Sequence, residues 1–139
     1  MENLDLKKTY QKDFDSWIKI KKDIEDRQRV EAYKYSIFWS SFGENIGSEV
    51  CGKGTSFLRP VVILKKFGER CVLVAPLSSK IDTDKNNINI KLDFEEGERC
   101  VLISQIRVLD TKRLFDYMGK VKKDSREDLK NSFNKIVKM

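Results

Sequence analysis

Two apolar runs decide the fold: FLRPVVILK at residues 57–65 and CVLVAPL at residues 71–77. A short polar segment containing Gly68 separates them. Continuous apolar runs joined through a glycine turn are typical of an antiparallel hairpin that is buried in a core. Pro60 cannot donate a ladder hydrogen bond, so it marks the start of the first strand or a bulge. The sequence therefore predicts a buried β-hairpin.

Further strands are predicted on both sides of this hairpin. Tyr35, Ile37 and Trp39 alternate with polar residues and predict a first strand, whereas residues 88–94 (INIKLDF) predict a half-exposed one. Residues 114–121 are ambiguous. With the strand described next, the total is about five antiparallel strands, which favours an α+β fold built on a small, strongly curved sheet or barrel.

The run CVLISQIRVL at residues 100–109 predicts one long, continuous strand. In such a strand Gln105 and Arg107 share a face with Ile103 and Leu109, because side chains alternate with a period of two. The two polar residues then either bind a ligand or satisfy nearby structural groups, such as loop carbonyls or Asp110, and the sequence leaves these alternatives even.

An amphipathic helix is predicted near the N-terminus, from residue 7 to about residue 29. Its apolar positions have helical spacing and form one narrow stripe: Phe14, Trp17, Ile20 and Ile24. The stripe is expected to pack on the core of the domain or on a second subunit. A helix that binds a separate partner protein is the less favoured alternative.

A second helix is predicted at the C-terminus. Asp124 is a candidate N-cap with Glu127 three residues later, which is the spacing of a capping box. Helically spaced apolar residues follow at Leu129, Phe133, Ile136 and Val137.

Length and composition indicate one folded domain. The chain has 139 residues, of which 40% are hydrophobic, with only two prolines and seven glycines. No run approaches the roughly 18 apolar residues of a membrane span, and the first ten residues are polar and charged. The cytoplasm is therefore the expected location, with no membrane partner.

The chain contains three cysteines and no histidine. Histidine is the commonest general acid or base and the commonest neutral metal ligand, so its absence argues against zinc and against imidazole chemistry. Cys51, Cys71 and Cys100 are widely spaced and are interpreted as reduced, structural thiols. Any catalysis must rely on arginine, lysine, carboxylate, hydroxyl or thiol groups, and we expect no bound metal.

The net charge of +6 is weak evidence for a nucleic-acid partner. Residues 111–139 carry nine basic and four acidic side chains, whereas residues 35–110 carry ten of each. The excess is therefore a property of the C-terminal segment, where it is more typical of a solvated helix face.

The segment 43–54 contains four of the seven glycines together with Glu49 and Lys53. Long polar loops between strands often carry binding or catalytic groups, so a ligand-binding loop is favoured over a plain connection. In the predicted hairpin the start of one strand lies beside the end of the other, which makes Arg59 and Ser78 neighbours. A guanidinium beside a hydroxyl is suited to a phosphate, although each residue alone is more often a surface charge or part of a turn.

Four ordered segments resemble the PemK/MazF toxins of bacterial type II toxin–antitoxin systems. They are Gly47-Ser48-Glu49, RPVVIL at 59–64, PLSSK at 76–80 and SQIRVLD at 104–110. The resemblance extends from Tyr35 to Val137. It divides the chain into an N-terminal helical extension, residues 1–34, and a toxin-like endoribonuclease domain, residues 35–139.

The resemblance implies an SH3-like curved barrel that forms a homodimer. It also implies a metal-independent, cofactor-free endoribonuclease that cuts single-stranded RNA at short sequences and is inhibited by a small antitoxin, with possible DNA binding by the toxin–antitoxin complex. The family's catalytic positions correspond to Arg59, Ser78 and Glu49. The neighbouring polar residues are candidate RNA contacts: Lys53, Ser79, Lys80, Gln105 and Arg107. The chain departs from the family pattern in a longer loop at 51–58 and in Ser104, where many members have aspartate.

Cleavage of this kind uses the RNA's own 2′-hydroxyl as the nucleophile, and it produces 2′,3′-cyclic phosphate and 5′-hydroxyl ends. Arg59 would hold the phosphate, Ser78 would donate a hydrogen bond to it, and Glu49 would orient the hydroxyl or accept its proton. The alternatives are a non-nucleolytic toxin that acts on a protein such as gyrase, and an SH3-like binding module. The combined set of site residues favours the nuclease.

Overall fold

The computed structural model describes residues 11–80, 89–94 and 97–138. Within these ranges the chain forms two α-helices, seven antiparallel strands and two short 3-10 helices, at Ile103–Gln105 and Thr111–Arg113. The helices and strands are α1 (Phe14–Glu25), β1 (Ser36–Ser41), β2 (Leu58–Phe67), β3 (Cys71–Ser78), β4 (Ile90–Phe94), β5 (Gly97–Val101), β6 (Arg107–Asp110), β7 (Leu114–Lys120) and α2 (Lys123–Val137).

The predicted hairpin is confirmed as β2 and β3, with Val61 opposite Pro76 and Phe67 opposite Cys71. Gly68 occupies the connecting turn with a φ of 67°, a conformation that favours glycine. β2 lies between β1 and β3 in the sheet, so both of its edges are paired.

Burial on both faces explains why the hairpin sequence is continuously apolar rather than alternating. Val62 and Leu64 point into one core cluster, whereas Val61 and Ile63 point into another on the opposite face. A strand that is exposed to solvent on one side would carry polar residues at every second position. The hairpin therefore lies between two hydrophobic clusters and packs against both.

The sheet closes into the curved barrel that the sequence predicts. The strands follow the order β4–β5–β3–β2–β1–β7, and β6 pairs with the remaining part of the β3 edge. A single bridge between Phe94 at the end of β4 and Val121 just after β7 joins the two ends of this order. Closure of this kind removes free sheet edges.

The predicted continuous strand over residues 100–109 is wrong. β5 ends at Val101, a 3-10 helix follows, and β6 begins at Arg107. β5 pairs with Leu77 and its neighbour in β3, whereas β6 pairs with the other end of the same strand, so the chain must step along the β3 edge between them. Gln105 lies in the step and is not on a regular strand face with Ile103.

The ambiguous segment 114–121 forms β7, which pairs with β1, and α2 follows it directly. The predicted capping box is wrong, because α2 begins at Lys123 with Lys122 at the N-cap and no side-chain cap. Asp124 instead lies in the first turn, where its negative charge suits the positive end of the helix dipole. Leu129 is the buried anchor of α2.

The N-terminal helix is confirmed as α1, which packs on its own domain. It is shorter than predicted, because it ends at Glu25 and not near residue 29, and the predicted residues 7–10 lie outside the described residues. Trp17 and Ile24 are buried together with Phe57, and Ile20 is partly buried beside them. Phe14 is 40% exposed and lies outside this contact. The buried stripe therefore begins at Trp17 and is shorter than the predicted one. Neither helix among the described residues is long and apolar enough to cross a membrane.

Replacing Leu129 with alanine should destabilise the domain by about 2–4 kcal/mol, because it removes the buried anchor of α2 and leaves a cavity. The free energy of unfolding in urea would measure this loss. Lys130→Ala is the control, since Lys130 is exposed on the same helix and should change stability by less than about 0.5 kcal/mol. Equal effects of the two substitutions would contradict the packing described here.

Candidate functional site

Arg59 is the second residue of β2, and its guanidinium is fixed by two carbonyl oxygens. Nε donates to the carbonyl oxygen of Cys51 at 2.7 Å, and Nη1 donates to that of Leu77 at 3.1 Å. Burial lowers the pKa of the Arg59 guanidinium, which nevertheless remains a cation at neutral pH. Among the described residues Nη2 has no hydrogen-bond partner, so this nitrogen is available to an external acceptor.

Ser78 ends β3 and lines the same cleft as Arg59, as the antiparallel pairing of the hairpin predicts. The cleft has a volume of about 370 Å³ and is also lined by Lys53 and Ser79. The hydroxyl oxygen of Ser78 accepts a hydrogen bond from the backbone N–H of Lys80 at 3.1 Å. Its proton can therefore be donated to a ligand in the cleft.

Arg99 is a cleft residue that the sequence reasoning missed. It lies in β5, which pairs with β3 through Cys100 and Ser78, and this pairing brings it beside the hairpin end. No local signal in the sequence reveals this position, because it depends on which strand occupies the second edge of β3. With Lys53 and Arg59, the cleft has three basic side chains.

A second cleft, of about 280 Å³, contains the other predicted site residues: Glu49, Gln105 and Arg107. The Arg107 guanidinium lies over the ring of Phe42, 5.2 Å from its centroid. Burial lowers the pKa of Arg107, and the negative charge of Glu49 partly offsets this effect. One carboxylate oxygen of Glu49 accepts a hydrogen bond from the backbone N–H of Ile46 at 2.9 Å.

Gln105 connects this cleft to the loop. Its Oε1 accepts from the backbone N–H of Val50 at 3.2 Å, and its Nε2 donates to the carbonyl oxygen of Ser48 at 3.3 Å. Gln105 thus satisfies loop backbone groups, one of the two alternatives left open by the sequence. Asp110, the proposed partner of Arg107, instead forms an ion pair with Arg29 at 3.1 Å.

The structure therefore divides the predicted site in two. The first cleft is lined by Arg59, Ser78, Lys53 and Ser79. Glu49 lines the second cleft and not the first. Lys80 is exposed just beyond the first cleft. The connection between the clefts is the loop backbone, because the Cys51 carbonyl that holds Arg59 follows Glu49 by two residues.

The loop at 43–54 has a defined internal structure. The Asn45 side chain donates to the Val50 carbonyl at 2.7 Å, and the Gly52 N–H donates to the Gly43 carbonyl at 2.7 Å. Lys53 then forms an antiparallel bridge with Leu58.

The described residues include no group of three or more histidine, cysteine, aspartate or glutamate side chains placed to hold a metal ion.

Residues 33–137 match the model of a protein family described as the PemK-like, MazF-like toxin of type II toxin–antitoxin systems. The chain belongs to this family. The match begins just before β1 and ends with α2, so it excludes α1. No curated protein matches the sequence of this toxin.

Solved structures show that the toxin shares its fold with MazF proteins. A Deinococcus radiodurans MazE–MazF structure has a TM-score of 0.58 and 15% identity, and the alignment covers 79% of this chain and 98% of that one. A mycobacterial endoribonuclease in complex with its cognate antitoxin has a TM-score of 0.56 and 13% identity, with 75% and 92% covered. At these identities the likeness establishes the fold.

Gly52→Ala should displace the loop, because an added Cβ would lie 1.7 Å from the carbonyl oxygen of Phe57. We expect a loss of stability well above the ~1 kcal/mol typical of strain alone, measured as a lower urea midpoint. Gly54→Ala is the comparison, since its Cβ meets nothing within 4 Å and only the positive φ of 76° is penalised. The steric argument is wrong if Gly52→Ala is the milder of the two.

Proposed function

We propose that this toxin is a sequence-specific endoribonuclease that cleaves single-stranded RNA without a metal ion or other cofactor. The observation that carries the proposal is the Arg59 guanidinium, held by two carbonyls with Nη2 directed to no described partner, beside the Ser78 hydroxyl in a basic cleft. This arrangement suits a phosphodiester, since a guanidinium and a hydroxyl both donate to phosphate oxygens. The description of the similar mycobacterial protein as an endoribonuclease also supports it.

The reaction requires little from the protein beyond positioning and charge stabilisation. The 2′-oxygen of the RNA attacks the adjacent phosphorus, the bond to the 5′-oxygen breaks, and the products carry a 2′,3′-cyclic phosphate and a 5′-hydroxyl. Arg59 stabilises the extra negative charge on the phosphate and assists the departure of the 5′-oxygen, which takes its proton from solvent water. Ser78 donates its hydroxyl proton in a hydrogen bond to a phosphate oxygen.

Glu49 orients the attacking 2′-hydroxyl or accepts its proton in this proposal. Because Glu49 lines the second cleft, the RNA strand must cross the loop with the scissile phosphate near Arg59 and the adjoining nucleotide near Glu49. Lys53, Ser79 and Lys80 would contact the backbone on the first side. Arg107 would contact it, or a base, on the second, whereas Gln105 would hold the loop through its hydrogen bonds to Ser48 and Val50.

The partners proposed for the toxin are single-stranded messenger RNA, a small cognate antitoxin and a second copy of the chain, in the cytoplasm. The similar mycobacterial endoribonuclease is in complex with its cognate antitoxin, and the similar Deinococcus radiodurans structure is of MazE–MazF, which supports a protein partner for this toxin. The catalytic unit is residues 35–139, and residues 1–34 form an extension to it.

Arg59→Ala should reduce RNA cleavage by about a hundred- to a thousandfold, because it removes the charge-stabilising donor. The assay uses purified toxin, defined single-stranded RNA and excess EDTA, with product ends identified by mass spectrometry. Arg59→Lys should recover only part of the activity, since an ammonium cannot make both carbonyl contacts and also bind the phosphate. Lys21→Ala, an exposed change on α1, is the control that should cleave normally.

Intact RNA with the wild-type toxin, or equal cleavage by Arg59→Ala, would overturn the nuclease proposal. If the wild-type toxin stopped growth while RNA stayed intact, the non-nucleolytic alternative with a protein target would replace it.

Glu49→Gln tests the second cleft separately, because the amide keeps the size of the side chain and removes its basicity. If Glu49 accepts the proton, the variant should lose most of kcat with little change in KM, because an amide cannot take the proton of the 2′-hydroxyl. An unchanged kcat with a raised KM would instead assign Glu49 to RNA binding.

A further inference from the structure

The segment just before the family domain makes direct contact with the loop of the candidate site. Lys12 Nζ donates to the carbonyl oxygens of Asn45 at 2.5 Å and Gly47 at 3.0 Å. The backbone N–H of Asp13 donates to the carboxylate of Glu44 at 2.9 Å. Lys12 and Asp13 lie outside the family match, which covers residues 33–137, whereas the loop residues that they contact lie inside it.

Glu44 is a buried carboxylate that depends on this contact. It is 7% exposed, and its second oxygen, Oε1, has no hydrogen-bond partner among the described residues. A buried carboxylate is costly unless hydrogen bonds compensate for its lost hydration. The N–H of Asp13 is a donor that this carboxylate loses if the N-terminal segment moves away.

Trp17 of α1 holds the start of the loop from the other side. Its ring lies so close to Gly43 that an added Cβ would approach it to 2.6 Å. Arg113 lies 5.4 Å from the same ring and donates to the carbonyls of Ser41 and Phe42 at 3.0 and 2.9 Å. Burial lowers the pKa of Arg113 to about 10, so it remains charged at neutral pH.

These contacts continue to Arg59 through hydrogen bonds. The Gly43 carbonyl, beside Glu44, accepts from the N–H of Gly52, and Gly52 follows Cys51 directly. The Cys51 carbonyl then accepts from Nε of Arg59. A movement of the first half of the loop would therefore displace the carbonyl that orients the guanidinium.

We propose that Lys12 and Glu44 are positioning residues, and that the N-terminal segment clamps the loop so that Arg59 faces the scissile phosphate. The catalytic part of this inference rests on the proposed nuclease function. The clamp acts on the orientation of Arg59 and not on the charge of the first cleft. Its loss should therefore reduce kcat more than it raises KM.

Lys12→Ala in the full chain tests the clamp by kinetics. We expect kcat to fall about tenfold with little change in KM, because a displaced catalytic group lowers turnover more than affinity. Lys12→Arg keeps a cationic donor and should restore most of kcat, whereas Lys21→Ala on the exposed side of α1 should match the wild type. A rise in KM alone would contradict the inference and assign Lys12 to RNA binding.

The Cys51 thiol provides a readout that does not depend on RNA cleavage. The Cys51 thiol is partly buried, and burial raises its pKa because desolvation disfavours the thiolate, so it should react slowly while the loop is clamped. Alkylation by N-ethylmaleimide, followed by mass spectrometry, should be several-fold faster at Cys51 in Lys12→Ala. Loss of the Lys12 charge by itself would raise the pKa of the Cys51 thiol and slow the reaction, so a faster reaction reports exposure of the loop. The rate at Cys71, a half-exposed thiol in β3, should not change.

The two readouts separate the possible failures. Unchanged or slower Cys51 alkylation in Lys12→Ala would overturn the clamp, whatever the cleavage results. Faster alkylation with no cleavage by any version of the toxin would overturn the nuclease and leave the clamp supported. Equal acceleration at Cys51 and Cys71 would indicate general unfolding and would also overturn the clamp.

Discussion

The pairing of β3 with its neighbours is the constraint on which the site depends. Arg59, Arg99 and Arg107 lie on three different strands, β2, β5 and β6, and each of these strands pairs with β3. The central strand therefore sets the relative positions of the arginines that line both clefts. Because the hairpin of β2 and β3 is buried on both faces, it is a rigid support that keeps these charged groups in fixed positions.

The sequence predicts the elements whose signal is local. The hairpin is recognisable because continuous apolar residues such as Val61–Leu64 are required on a strand with two covered faces, and the helices are recognisable from their period. The break near Gln105 is not recognisable, because it arises from the way two strands share the edge of β3. Arg99 was missed for the same reason, and Glu49 was predicted beside Arg59 because the course of the loop is equally non-local.

The distribution of charge over the folded protein also depends on pairing between strands that are distant in the sequence. The middle segment is neutral in total, yet burial and pairing bring its arginines to the two clefts. The surplus of residues 111–139 lies mostly outside α2, which carries four basic and three acidic side chains, so the expectation of a solvated basic helix face is wrong. With no histidine in the chain, the chemistry proposed for the first cleft rests on a guanidinium held by backbone carbonyls. A guanidinium keeps its charge at neutral pH, so its effect depends on where the fold places it. The orientation of Arg59 is therefore linked to the loop and to the segment that precedes β1.

The barrel can close only after the strand nearest the C-terminus has been synthesised. β1 can pair with β2 soon after both leave the ribosome, but its other edge waits for β7, where Ser36 lies opposite Lys120. The bridge from Phe94 to Val121 forms at the same late point. A chain that stops before this residue would present open strand edges, which favour aggregation, instead of a smaller working domain. Of the strands in the described residues, β7 is synthesised last, and it completes the barrel.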